Sequence, residues 1–213
     1  QIYAYAYFPT HVHLLIKDSS LPIEGEPEGV WGSWEGVVIP GHRIYKDGAR
    51  MPINGEEFMK MFKEMEKRGL ILSLCLEDNE QTAEFREVVQ ECPELKVAIG
   101  HFGMPTEQTW YEQVKLAENE NVMVESGGIT WLYNSEFYPF PTAVKKIKEA
   151  ADMVGMENLM WGSDYPRTIT AITYKMSYDF VLKTNELTDN EKRLFLGENA
   201  KKFYGFGELE VPK

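Results

Sequence analysis

The residues of this 213-residue sequence best suited to chemistry stand directly after short apolar runs. Asp164 follows Leu-Met-Trp-Gly-Ser, His101 follows Val-Ala-Ile-Gly, Glu125 and Ser126 follow Val-Met-Val, and Cys75, Glu77 and Asp78 fall at or just beyond the end of Leu70 to Leu76. In a parallel α/β architecture ligands bind at the carboxyl ends of strands, so these groups would share one mouth. A carboxylate at the tip of a buried strand is partly desolvated and can take a proton from water or hold a metal ion. A turn or helix-capping aspartate beside Pro166 is the competing reading for Asp164. For His101 the competing reading is a hydrogen-bonded structural imidazole.

His11 and His13 form a His-x-His pair, which on a strand puts both imidazoles on one face, a recurring metal-binding arrangement. A metal-free surface pair has the same spacing. Arg43, next to His42 in the loop after Val37 to Ile39, can orient a substrate carboxylate, although a solvated loop charge has the same signature. Tyr165, adjacent to Asp164, is a second candidate substrate contact.

Elements must position these residues, and from Asn54 onward helical patterns alternate with short apolar runs, the signature of a parallel sheet covered by helices. Asn54 is placed to cap a helix whose Phe58, Met61, Phe62 and Met65 share a core-facing side, closed by Gly69 ahead of the strand Leu70 to Leu76. Asn79 is placed to cap a second helix with Phe85, Val88 and Val89 inward, and Pro93 precedes the strand Lys96 to Gly100. A third helix after Thr106 carries Trp110, Val114 and Ala117, and the strand Val122 to Glu125 follows. Pro141 suits the first turn of a fourth helix bearing Val144, Ile147, Ala150 and Ala151, stopped by Gly155 before the strand Leu159 to Gly162. Thr188 and Glu191 form a Thr-x-x-Glu capping box for a last helix with Leu194, Phe195 and Phe203, ending at Gly205.

The first 53 residues read differently. Tyr3, Tyr5 and Tyr7 alternate with alanines as a strand does, and Val12 to Ile16 is a second extended run. Residues 18–54 are rich in Gly and Pro, among them Gly25, Pro27, Gly29 and Gly32, and only Val37 to Ile39 reads as a strand, so a long irregular loop region is expected inside a single domain spanning 1–213.

Composition narrows the function classes. With 43% hydrophobic and 26% charged residues the chain is globular. A net charge of −12 opposes binding to nucleic acid or an anionic membrane. No apolar run approaches the roughly 20 residues of a spanning helix. Cys75 and Cys92 have neither the number nor the spacing of a disulfide framework or zinc knuckle, which makes a reducing cytoplasm the expected location. The chain opens on Gln1 without an initiator Met or signal-peptide pattern, so an N-terminal segment is expected to lie outside this sequence.

Four stretches, PELKVAIGHFGMP, NVMVESGG, ENLMWGSDYP and LTDNEKRLFLGENAKKFYGF, together resemble the amidohydrolase-related (amidohydrolase 2) family over residues 54–206. The resemblance implies a (β/α)8 TIM barrel with its site at the strand ends: His-x-His on the first strand, a His on the fifth, a His on the sixth and an Asp on the eighth. His101 matches the sixth-strand His and Asp164 the eighth-strand Asp. GLILSLC then occupies the fifth strand, with Cys75 where a metal-binding His is expected. That departure fits either a Cys ligand to zinc or a branch similar to the metal-independent sugar and dicarboxylate lactonases, and LCLEDNEQTAEF looks more like the latter. Counting strands backward from Asp164 makes Val37 to Ile39 the fourth and Tyr3 to Phe8 the third, so strands one and two would be absent from this sequence. The competing count makes Tyr3 to Phe8 the first strand and His11 and His13 its metal pair.

What the resemblance implies is a hydrolase acting by water attack on a small carboxylated cyclic ester or amide. Asp164 would be the base, His101 and Arg43 the donors to the oxyanion, and Asp164, His11, His13 and Cys75 the ligands of any divalent zinc or manganese. Metal-dependent non-oxidative decarboxylation of an aromatic or unsaturated acid is the enzymatic alternative. A catalytically inactive barrel serving as a binding module, with Trp31, Trp34, Trp131 and Tyr133 exposed for an interface, is the third. The expected partner is a small-molecule substrate, with a homo-oligomer left open.

Overall fold

The structure, a computed structural model, describes residues 50–206 throughout and, ahead of them, the backbone of strands between Ile2 and Met51. Among the described residues there are ten strands: β1 (Ile2–Tyr7), β2 (Val12–Ile16), β3 (Trp31–Ser33), β4 (Gly36–Pro40), β5 (Ile44–Lys46), β6 (Ala49–Met51), β7 (Ile71–Cys75), β8 (Lys96–Ile99), β9 (Val122–Glu125) and β10 (Leu159–Met160). The main sheet runs in the order β10-β9-β8-β7-β4-β3. Its strands β4, β7, β8, β9 and β10 are parallel neighbours, and β3 closes the edge antiparallel to β4. Sequential parallel strands joined by helical connections are the repeating unit of a (β/α)8 barrel.

The helices are α1 (Glu56–Arg68), α2 (Asn79–Glu91), α3 (Trp110–Val114), α4 (Ile129–Leu132), α5 (Pro141–Val154), α6 (Met176–Lys183), α7 (Asp189–Arg193) and α8 (Asn199–Tyr204). Leu72 and Leu74 of β7, Val97 and Ile99 of β8, and Val122 and Val124 of β9 pack into the same core as Phe58, Phe62 and Met65 of α1 and Phe85 of α2. The opposite face of the strands carries a second cluster of Ala98, Met123 and Met160, lined by Ile71 and sealed by Phe203 of α8. Because side chains alternate across a strand, Cys75 and Glu125 point to this second, inward face at the carboxyl end of their strands.

The expected strands from Leu70 onward and the helices between them are all present, with small shifts at their ends. The cap of α1 is Gly55, while Asn54 instead donates to Glu87 Oε2 at 2.7 Å. The cap of α2 is Asp78, whose Oδ1 accepts the Gln81 N–H at 2.8 Å, one residue ahead of Asn79. Thr188 and Glu191 form the expected capping box of α7, and the chain continues through a wide turn into α8, closed by Gly205 in the left-handed region.

Two expectations for the first half are corrected. Residues 18–54 hold four short strands, β3 to β6, instead of one, because hairpin partners three residues long carry too few alternating positions to be read as strands. The run Tyr3 to Phe8 is not a third barrel strand: β1 pairs antiparallel with β2 in a separate two-stranded sheet, and the neighbour of β4 beyond β7 is β3. Val37 to Ile39, within β4, does lie parallel beside β7 as expected of a fourth strand. Among the described residues no helix is long and apolar enough to cross a membrane.

Candidate active site

His101 begins where β8 ends. Residues His101, Phe102, Gly103 and Met104 all have φ between 50° and 62°, a full left-handed turn. Such φ costs an L-residue about 1–2 kcal/mol each, so surrounding contacts must hold it. Phe102 supplies one, buried against Trp110 with ring centroids 6.4 Å apart. The turn presents the imidazole to the loop after β9, where the Nδ1 of His101 lies 2.9 Å from the Gly127 carbonyl oxygen. That carbonyl can only accept, so Nδ1 carries a proton, and Nε2 is left for other partners, the Cys75 side chain among them.

Asp164, four residues beyond β10, also has positive φ, 47°. Its Oδ2 accepts the indole N–H of Trp131 at 2.7 Å. The same indole stands edge-on to His101, with centroids 6.0 Å apart, so one Trp side chain buttresses both residues. Arg167 lies over that indole, its guanidinium carbon 4.4 Å from the ring centroid. Gly128, at φ 84°, lets this happen: a Cβ there would come within 2.2 Å of Trp131 Nε1 and 3.1 Å of Asp164 Oδ2.

Glu125 completes the cluster. Its Oε1 accepts the Gly127 N–H at 2.8 Å, and a Cβ on Gly162 would fall 1.2 Å from that same oxygen. Cys75 is nested in a similar way, since a Cβ on Gly100 would lie 3.0 Å from its sulfur. Layers inside a barrel are filled by side chains from alternate strands. Here β7 and β9 supply Cys75 and Glu125, and the chain beyond β8 and β10 supplies glycines that leave room for them.

Electrostatics follow from this packing. Burial pulls the His101 imidazole down, but the hydrogen bond and charge of Cys75, the Gly127 carbonyl and the Asp164 carboxylate outweigh it and push His101 up to about 10. The net push favours the imidazolium form of His101. Burial pushes Glu125 up; the positive charge of His101 and the Gly127 N–H pull it back, Asp164 adds repulsion, and the result is about 7.

The structure thus brings together Asp164, His101 and Cys75 of the expected site. Tyr165 is 64% exposed at the rim, its ring 6.5 Å from that of Tyr174. His11, His13 and Arg43 lie outside the described side chains. Trp131 and Tyr133, expected as exposed interface aromatics, are half-buried instead, Trp131 because it props the site and Tyr133 because it packs on the core. Sequence reasoning missed Trp131 and Arg167 as site residues. No local pattern marks them, because Arg167 meets Trp131 only through the fold.

A metal site needs converging donors, and among the described residues no three His, Cys, Asp or Glu side chains form a group that could hold an ion. Asp164 Oδ2 and His101 Nδ1 are both committed to protein partners. The described donors alone do not fit a metal centre.

A family model described as amidohydrolase matches residues 37–206, most of the chain and all of the site described above. The chain belongs to the amidohydrolase family. Solved structures place this amidohydrolase in the TIM-barrel fold. An amidohydrolase from Burkholderia multivorans with bound zinc is 17% identical with a TM-score of 0.61, the match covering 72% of this chain and 58% of that one. A Pseudomonas putida protein assigned by name as a 2-pyrone-4,6-dicarboxylic acid hydrolase is 21% identical with a TM-score of 0.61, covering 83% and 64%. A dihydroxybenzoic acid decarboxylase from Polaromonas sp. JS666, with bound manganese and the inhibitor 2-nitroresorcinol, is 10% identical with a TM-score of 0.55, covering 76% and 58%. The chain thus spans less than two thirds of each of these structures. No curated protein sequence matches it significantly.

Proposed function

We propose that this amidohydrolase hydrolyses a small cyclic ester or amide that carries a carboxylate, by attack of a water activated at Asp164. The observation that carries the reading is the trio built on Trp131: a carboxylate fixed by the indole N–H, an imidazolium at its edge and a guanidinium on its face. Asp164 Oδ2 is occupied by Trp131, which leaves Oδ1 to take a proton from water. The water oxygen bonds to the substrate carbonyl carbon, and the carbonyl oxygen becomes an oxyanion. His101, pushed toward its imidazolium form, is suited to donate from Nε2 to that oxyanion and unsuited to act as the base. Collapse of the intermediate breaks the bond to the ring oxygen or nitrogen, and Asp164 returns its proton to the departing atom.

Arg167 supplies the carboxylate contact in this reading, with Tyr165 at the rim and Arg43 as a further contact. A guanidinium stacked on an aromatic face keeps its in-plane N–H donors available for a bidentate carboxylate. No hydrogen bond or ion pair of its guanidinium to another described residue competes for those donors. The hydrolase assigned to 2-pyrone-4,6-dicarboxylic acid, a carboxylated lactone, gives the substrate class precedent on the same fold.

A second reading, non-oxidative decarboxylation of an aromatic acid, is favoured by the likeness to the Polaromonas decarboxylase. His11, His13, Cys75 and Asp164 would hold zinc or manganese in that case. A panel of carboxylated lactones and dihydroxybenzoates, assayed before and after dialysis against a chelator, separates the two. The hydrolase reading expects lactone opening that survives chelation. Release of carbon dioxide that disappears with the metal would replace it with the decarboxylase.

A further inference from the structure

Glu125 is an acidic side chain at the heart of the site that the mechanism above does not use. Its carboxylate occupies the space a side chain at Gly162 would fill, and a Cβ on Gly127 would also come within 2.8 Å of it. Wedged between these two glycines, it accepts the Gly127 N–H at 2.8 Å. The carbonyl of the same Gly127 takes the Nδ1 proton of His101 at 2.9 Å. Gly127 is therefore gripped at both ends, by Glu125 at its nitrogen and by His101 at its oxygen. The next residue, Gly128, carries the close approach of Trp131 that fixes Asp164. Loosening Gly127 would free the ring orientation of His101 on one side and the Trp131 prop on the other.

We propose that Glu125 is a positioning residue for His101: by holding the Gly127 N–H it aims the Gly127 carbonyl at Nδ1 and so turns Nε2 toward the substrate, and position 162 is glycine because the carboxylate occupies its side-chain space. The inference deepens the hydrolase reading and rests on it for the meaning of "substrate". Its geometry is tested without turnover. The groups facing Glu125 are His101, Asp164 and the Gly127 N–H, with Cys75 beyond His101. A glutamine at 125 can still accept the Gly127 N–H through its amide oxygen, whereas an alanine cannot.

The experiment follows the Nδ1–H of His101 by NMR in protein labelled with 15N-histidine, the signal being assigned by its loss in His101→Gln. In the unsubstituted protein a hydrogen-bonded, slowly exchanging Nδ1–H is expected. It should persist in Glu125→Gln and disappear into solvent exchange in Glu125→Ala and in Gly162→Ala, each compared at the same melting cooperativity and circular dichroism. On a lactone that the protein opens, Glu125→Ala should lose at least 10-fold in kcat with KM changed less than 2-fold, and Glu125→Gln should recover most of that loss. An Nδ1–H signal identical in Glu125→Ala, or a Glu125→Gln as damaged as Glu125→Ala, overturns the proposal. If no lactone is opened the hydrolase reading fails by itself, while the ring signal still decides whether Glu125 positions His101. Should Gly162→Ala not fold, the Glu125 pair decides alone.

Discussion

In the proposed reaction Asp164 and His101 divide the work by their surroundings. Asp164 keeps one oxygen on Trp131 and one for water, and His101 is held as an imidazolium by Cys75, the Gly127 carbonyl and Asp164 against its own burial. Removing the base should cost what positioned proton transfer contributes, about 10²–10⁴-fold. Asp164→Asn, which keeps the acceptor for the indole, is expected to lower kcat by that range with an unchanged melting temperature; steady-state kinetics on the lactone panel check it. In the same proposal Arg167 acts in binding and not in bond making. Arg167→Ala should therefore raise KM about 10-fold or more with kcat little changed, the pattern of lost uniform binding. The same substitution should have no effect on a substrate analogue whose carboxylate is esterified, which is the control.

At the scale of elements, the site depends on loops whose backbone leaves the ordinary regions. The left-handed turn His101–Met104 and the left-handed Gly128 each put a side chain where a relaxed loop would not. Gly128→Ala would drive a Cβ into Trp131, so the Trp131–Asp164 bond should break and hydrolysis should fall at least 10-fold; a shift of Trp131 fluorescence reports the displacement independently. Elements remote from the mouth should behave oppositely. Thr188→Ala removes the capping box of α7 and is expected to cost about 1 kcal/mol in denaturant unfolding while leaving kcat and KM alone. The helices and the strands from Leu70 onward were legible because their apolar spacing is long enough to show a period. The caps slipped by one residue because Asp78 and Asn79 are both good capping residues, and because the Asn54 amide is drawn to Glu87 while Gly55 enters α1 without a side-chain cap.

For the whole molecule, the two raised groups of the site, His101 and Glu125, give stability a pH dependence of one sign. His101 contributes stability fully present below its ordinary 6.5 and lost as pH rises through about 10. Glu125 is held above its ordinary 4.5, so its contribution is present below 4.5 and lost as pH rises through about 7. Carboxyls held down by lysine partners, such as Glu112 and the buried Asp179, act the other way and lose their contribution as the pH falls below the ordinary range. The melting temperature should therefore peak near pH 5 and decline toward pH 10. Calorimetry across that range, repeated on His101→Gln, should show the alkaline decline flattened; an unchanged slope would mean that His101 is not the imidazolium described.

The sequence by itself determined the parallel βα order, the strand ends where Asp164, His101, Glu125 and Cys75 stand, and the amidohydrolase likeness, because each depends on spacing along the chain. Tertiary structure alone decided that Trp131 of α4 joins Asp164, His101 and Arg167, and that Gly162 yields its side-chain space to Glu125. Such meetings of residues dozens of positions apart arise from strand register and the tilt of neighbouring strands, which one-dimensional periodicity does not encode. For the same reason β1 could be recognised as a strand from its alternation, yet its antiparallel partner could not, since pairing is a relation between two segments and alternation a property of one.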